Sequence, residues 1–116
     1  MALRRHCIQV DAEGKGRARA VTAACRPALD ANPKDAEVMV ILARAEIDRG
    51  RLAEARTLAR KALAVDPSRA DAYVYLGTAE QEAGRIEEAR AAYKKYVELA
   101  PDGRFAREIR AILNNL

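Results

Sequence analysis

The sequence predicts an all-α fold, a stack of about seven helices arranged as hairpins in one domain. Three observations predict it. Gly16, Gly50 and Gly84 recur every 34 residues, each followed by an arginine. Pro33, Pro67 and Pro101 keep the same interval, each 17 residues after its glycine. Residues 41–56 laid over 75–90 agree at half of sixteen positions, among them Leu42/Leu76, Ala45/Ala79, Glu46/Glu80, Ala55/Ala89 and Arg56/Arg90. A fixed period of this size marks a repeat array.

The elements follow in order. A first helix is expected over 3–13, and its register has two readings. Counting back from Pro33 places Ile8 inward and Gln9 in a close-packed slot. Sliding by two places Leu3, Cys7 and Val10 on the inner stripe and lets Gly14 end the helix. The second is preferred, because a buried Gln needs a partner. A second helix over 17–31 is anchored by Val21, Cys25, Ala28 and Leu29. Pro27 removes one of its hydrogen bonds and clashes with the preceding turn, at about 3 kcal/mol, so a kink is expected there on the solvent side. Helices over 36–49 and 52–65 form the second unit, with Met39, Leu42, Ala43, Ala55 and Ala62 inward.

The fifth helix, 70–83, carries Tyr73, Leu76, Gly77 and Glu80 on one face. Gly77 costs about 1 kcal/mol against alanine; a side-chain-free inner position lets a neighbouring helix approach, and Ala43 takes that place one unit earlier. The sixth, 86–99, sets Ile86, Ala89, Tyr93, Tyr96, Val97 and Leu99 against Glu87, Glu88, Lys94, Lys95 and Glu98. Each glycine ends one helix as a left-handed residue. Each proline stops the next, because the residue before it avoids the α region. A hairpin of this kind cannot bury its own apolar face and must stack on a neighbour. The last helix, 104–114, has Phe105, Ile109, Ile112, Leu113 and Leu116 opposite Arg104, Arg107, Glu108 and Arg110. It reads as a cap with a polar outer face.

Composition narrows the function. No apolar run approaches the roughly 18–20 residues that cross a bilayer. The opening MALRRHCIQV lacks the apolar stretch of a secretory leader. A cytoplasmic chain without membrane contact is expected, and its alanine- and arginine-rich wording fits a bacterial gene. His6 is the single histidine, and Cys7 and Cys25 have no CxxC spacing, so no metal site and no cofactor are expected. The cysteines read as two small buried thiols in a reducing compartment, with a disulfide between them as the alternative. No nucleophile and base are brought together by the repeat phase, and GKG at 14–16 is too short for a phosphate loop. Catalysis is not expected.

The unit resembles the tetratricopeptide repeat. Tyr73, Leu76, Gly77, Ala89, Tyr93 and Pro101 match its pattern in the third unit, and Met39, Leu42, Ala43, Ala55, Ala62 and Pro67 in the second. Glu46 and Glu80 depart where the family has a bulky residue, and Ala59 where it has an aromatic. The resemblance implies a right-handed superhelical α-solenoid with repeats near 2–35, 36–69 and 70–103 and a capping helix over 104–116. The array ends close to repeat boundaries, so a domain of a longer protein is one reading.

The resemblance further implies a concave groove lined by the first helix of each repeat. The positions that point into it are Glu37, Val40, Ile41, Arg44, Ile47 and Asp48 in the second unit, and Asp71, Val74, Tyr75, Thr78, Gln81 and Glu82 in the third; all but Ile47, Asp48 and Gln81 are taken as the nine groove residues. They imply an interaction module that binds a peptide or helix with apolar anchors and flanking basic residues. The family's two-carboxylate clamp for acidic C-termini has no match: His6, Val10, Ile41, Asp71 and Tyr75 stand at its positions. Two other readings differ in class. One is self-assembly through the stack ends. The other is binding of nucleic acid or an acidic partner through residues 1–26, which hold six Lys/Arg against two acids, while the rest is balanced.

Overall fold

The computed structural model describes residues 2–14 and 16–116; Met1 and Lys15, with the middle of the GKG turn, lie outside the described residues. Among the described residues seven helices follow one another: α1 (Ala2–Ala12), α2 (Ala18–Ala31), α3 (Ala36–Asp48), α4 (Leu52–Val65), α5 (Ala70–Glu82), α6 (Ile86–Leu99) and α7 (Ala106–Asn115). Among the described residues there is no strand. The stack measures 41 × 26 × 22 Å.

The glycine turns have a chemical explanation. After α3, Gly50 adopts φ 77°. Its N–H donates to the Ile47 carbonyl at 2.9 Å, and the Arg51 N–H to the Glu46 carbonyl at 2.8 Å. Gly84, at φ 82°, repeats both bonds to Gln81 and Glu80. These paired bonds satisfy carbonyls that a helix end leaves open, and only glycine enters the left-handed region without strain. At the start of α3 the Asp35 carboxylate accepts from the Val38 N–H at 3.2 Å, which supplies the missing acceptor at an N-terminus. Pro27 lies on the exposed side of α2, and the helix runs through it.

Each helix packs on its sequence neighbours, and α3 also touches α1 and α5. The odd helices α1, α3 and α5 therefore share one layer. The alanines make this possible: Ala43, Ala55, Ala59, Ala62, Ala72 and Ala89 are fully buried. Small residues let backbones approach where larger ones would hold them apart.

Four expectations change. Cys7 and Cys25 are not free thiols: they form a disulfide between α1 and α2, with Cα atoms 4.5 Å apart. The cause is the register of α1. Cys7 and Val10 face inward and Gln9 is exposed, as in the second reading, and this aims Cys7 at Cys25. Leu3, expected on the same stripe, is 44% exposed in the first turn of α1. Leu99 and Ile86 are exposed as well; α7 covers Tyr96 but not Leu99. Finally, α7 begins at Ala106, since the Phe105 N–H donates to the Tyr96 hydroxyl at 3.1 Å and holds residues 103–105 in a turn.

Glu46 and Glu80 explain themselves in three dimensions. They are 0% and 1% exposed. Glu46 is held by Arg26 of α2 at 3.0 Å and by Arg49 at 3.1 Å. Glu80 is held by Arg56 of α4 at 3.0 Å, with Arg60 at 3.6 Å. Arg26 and Arg60 are one repeat apart, as are the two glutamates. Each buried acid is thus gripped by the second helix of the preceding hairpin. A charge taken out of water needs such partners.

Candidate functional site

Where α1, α3 and α5 line up, a cleft of about 230 Å³ opens, lined by Ile8, Asp11, Glu37, Val40, Ile41, Arg44, Arg69, Asp71, Tyr75 and Arg104. Six of the nine groove residues read from the sequence meet there: Glu37, Val40, Ile41, Arg44, Asp71 and Tyr75. They come from equivalent faces of α3 and α5, so the stacking of repeats joins them.

The other three lie elsewhere. Val74, 8% exposed, belongs to a cluster with Tyr93, Tyr96 and Ile109. Thr78 donates to the Val74 carbonyl at 2.9 Å, and its hydroxyl oxygen lies 3.4 Å from that of Tyr93. Glu82 is exposed at the end of α5, one repeat from the exposed Asp48. Within the cleft, Val40 and Ile41 are 5% and 9% exposed, so they form its floor and offer little free surface. Val40 packs with Met39, Ala62 and Ala72, and Ile41 with the cluster around Cys7 and Cys25.

Tyr75 stands at the centre of this face. It packs against all three apolar clusters and meets Phe105 edge to face, with centroids 6.3 Å apart. Burial raises its phenol pKa above the ordinary value; the positive charges of Arg44 and Arg104 act the other way, while Asp71 and Asp48 add to the rise. The phenol is therefore a neutral donor and acceptor at pH 7.

The charges around it are largely matched. Arg44 pairs with Asp11, Arg69 lies 3.5 Å from Asp71, and Arg4 of α1 reaches Glu37 and, at 2.8 Å, Asp35. Acids expected to form an acidic margin at Glu37 and Asp71 carry their own arginines. The exposed acids of this layer are Asp48 and Glu82. Sequence reading missed Ile8, Asp11, Arg69 and Arg104. The first two belong to the helix of open register. The last two lie in inter-repeat turns, where the helical pattern gives no signal.

A second cleft, about 670 Å³, lies between the Gly16 and Gly50 turns, lined by Arg17, Arg19, Arg49 and Arg51 beside Asp48. Among the described residues no group of three or more His, Cys, Asp and Glu could hold a metal, and no helix is long and apolar enough to cross a membrane.

This layered stack of glycine-turned hairpins, with a groove on the odd-helix face, defines a helical-repeat fold. The chain belongs to the tetratricopeptide repeat family: the family's model matches residues 12–64 and 42–104. No curated protein matches the chain. Among solved structures it is similar to the TPR domain of Arabidopsis OM64, at 22% identity and a TM-score of 0.87, over 98% of this chain and 93% of that one. It is similar to the first TPR of Spaghetti (RPAP3) bound to the HSP90 peptide SRMEEVD, at 23% identity and a TM-score of 0.79, over 96% and 95%. It also resembles part of the O-GlcNAc transferase of Thermobaculum terrenum, at 30% identity and a TM-score of 0.81, over 90% of this chain but only 20% of that enzyme.

Proposed function

We propose that the chain is a non-catalytic module that binds a short helix or extended peptide of a partner protein across the α3–α5 face. The observation that carries this reading is the convergence of Arg44, Asp71 and Tyr75 with Ile8 and Arg104 on one concave surface. An aromatic with a polar tip, half covered when free, is suited to become a buried anchor. The likeness to a repeat domain that holds a peptide supports the same use of the fold. The partner presents an apolar anchor to Tyr75 and basic residues that run toward Asp48 and Glu82. Those charges set its orientation and association rate more than its affinity. Thr78 and Val74 support the face from beneath, and Glu37 acts through its pair with Arg4. We keep one domain, 1–116, as the organisation and the cytoplasm as the location; there the Cys7–Cys25 bond meets dithiol reductants.

The test uses peptides selected from a random library on the immobilised protein. A cleft of this size fits a micromolar dissociation constant, about −8 kcal/mol. Tyr75→Ala should weaken binding by about 2 kcal/mol, roughly 30-fold. Because Tyr75 also packs on the core, circular dichroism must show the variant folded at the assay temperature. Asp48→Lys/Glu82→Lys should slow association with basic-flanked peptides by about tenfold, and Lys94→Ala, on the exposed side of α6, should change nothing. Equal affinities for all four proteins would refute the groove.

A further inference from the structure

We infer that α1 is a redox-held lid on the groove, with the Cys7–Cys25 disulfide as its latch. Three observations place it so. First, α1 buries only Cys7 and Val10, so one of its two anchoring side chains is the covalent bond itself. Second, the faces it covers belong to the groove: Ile8 packs on the cluster that contains Val38 and Ile41 of α3. Third, its polar contacts across the boundary are charge pairs, Arg4 with Glu37 and the buried Asp35, and Asp11 with Arg44. Of these, Arg4–Glu37 and Asp11–Arg44 are open to solvent, and such pairs are weak in water and screened by salt. The α2 helix does not share this fragility. It buries Val21, Ala24, Cys25 and Ala28, where α1 buries two residues.

Reduction by a dithiol transfers two electrons and two protons to the bond. Cys7 and Cys25 become thiols, and the reductant leaves as its own disulfide. The loss of a link across 18 residues raises the population of detached α1 on the order of a hundredfold. Detachment frees Arg44 and Glu37 of their α1 partners and lifts Ile8 from the cluster that contains Ile41. The oxidised chain then has the narrower groove and the reduced chain the wider one. The consequence for binding rests on the groove reading; the motion of α1 does not.

Hydrogen exchange of the full chain, read with and without dithiothreitol, tests the motion without any partner. The expected result is a loss of protection in residues 2–12 of at least tenfold on reduction, with α3 to α6 unchanged. The Cys7→Ser/Cys25→Ser variant should match the reduced protein under both conditions. Unchanged protection in residues 2–12 would overturn the inference, because α1 would then be held without the bond. A loss spread over all helices, or a double variant that does not fold, would overturn it too, because the disulfide would be a staple of the whole stack.

Discussion

Gly77 and Tyr93 show how single residues set the spacing of this stack. A Cβ added at Gly77 would lie 2.5 Å from Cε1 of Tyr93. Tyr93 cannot swing aside, since its ring is buried and its hydroxyl donates to Gln81 at 2.7 Å. One repeat earlier the same two positions hold Ala43 and Ala59. The second unit thus carries one methyl more on its first helix and a far smaller side chain on its second, so the two units pack this contact differently. Gly77→Ala should therefore destabilise by about 1 kcal/mol, because an overpacking cost of about 2 kcal/mol exceeds the roughly 1 kcal/mol gained in helix propensity. With Tyr93→Ala the same change should stabilise. Urea unfolding of the four proteins checks this, and one sign in both backgrounds would contradict it. The close approach at Gly77 was legible in the sequence, and so were the swapped sizes at 59 and 93. The buried glutamates were not. Glu46 and Glu80 looked like departures from the family pattern because their partners, Arg26 and Arg56, sit on another helix 20 and 24 residues away. Only the 34-residue recurrence of both acid and base hinted that the pairing is part of the repeat.

The terminal helices behave differently from the five between them. All the inner boundaries were legible, since glycine and proline punctuate both ends of those helices. In α1 and α7 the pattern misjudged Leu3 and placed the start of α7 two residues early. The disulfide stood only as the alternative reading because a separation of 18 residues carries no motif; it follows once the register of α1 is fixed. The cap lends itself to a direct prediction. α7 buries Ala106 and Ile109, and Phe105 meets Tyr96 with centroids 6.1 Å apart. Large side chains of this sort contribute about 1.5–3 kcal/mol each, and 1 kcal/mol shifts the melting midpoint of a domain this size by roughly 4–8 °C. Deletion of residues 104–116 should lower the midpoint by about 8 °C or more. It should also make the mass rise with concentration, as the uncovered Tyr96 finds another surface. A monomeric truncation with an unchanged midpoint would show that α7 is not a cap.

At the scale of the molecule, the repeat period made the fold readable from one end to the other, while the groove was readable only in part. Periodicity tells which face a residue is on. It does not tell whether that face is free. Val40 and Ile41 lie on the expected side but are covered, and Glu37 is answered by Arg4 from a helix whose register the sequence left open. The central claim is that the α3–α5 face is the docking surface. Isotope-labelled protein titrated with a library-selected peptide tests it residue by residue. The account predicts that amide shift changes cluster at Ile8, Arg44, Asp71, Tyr75 and Arg104, the residues that share the concave cleft. Changes concentrated instead at Arg17, Arg19, Arg49 and Arg51, around the cleft between the glycine turns, or at the exposed ends of the stack, would contradict it.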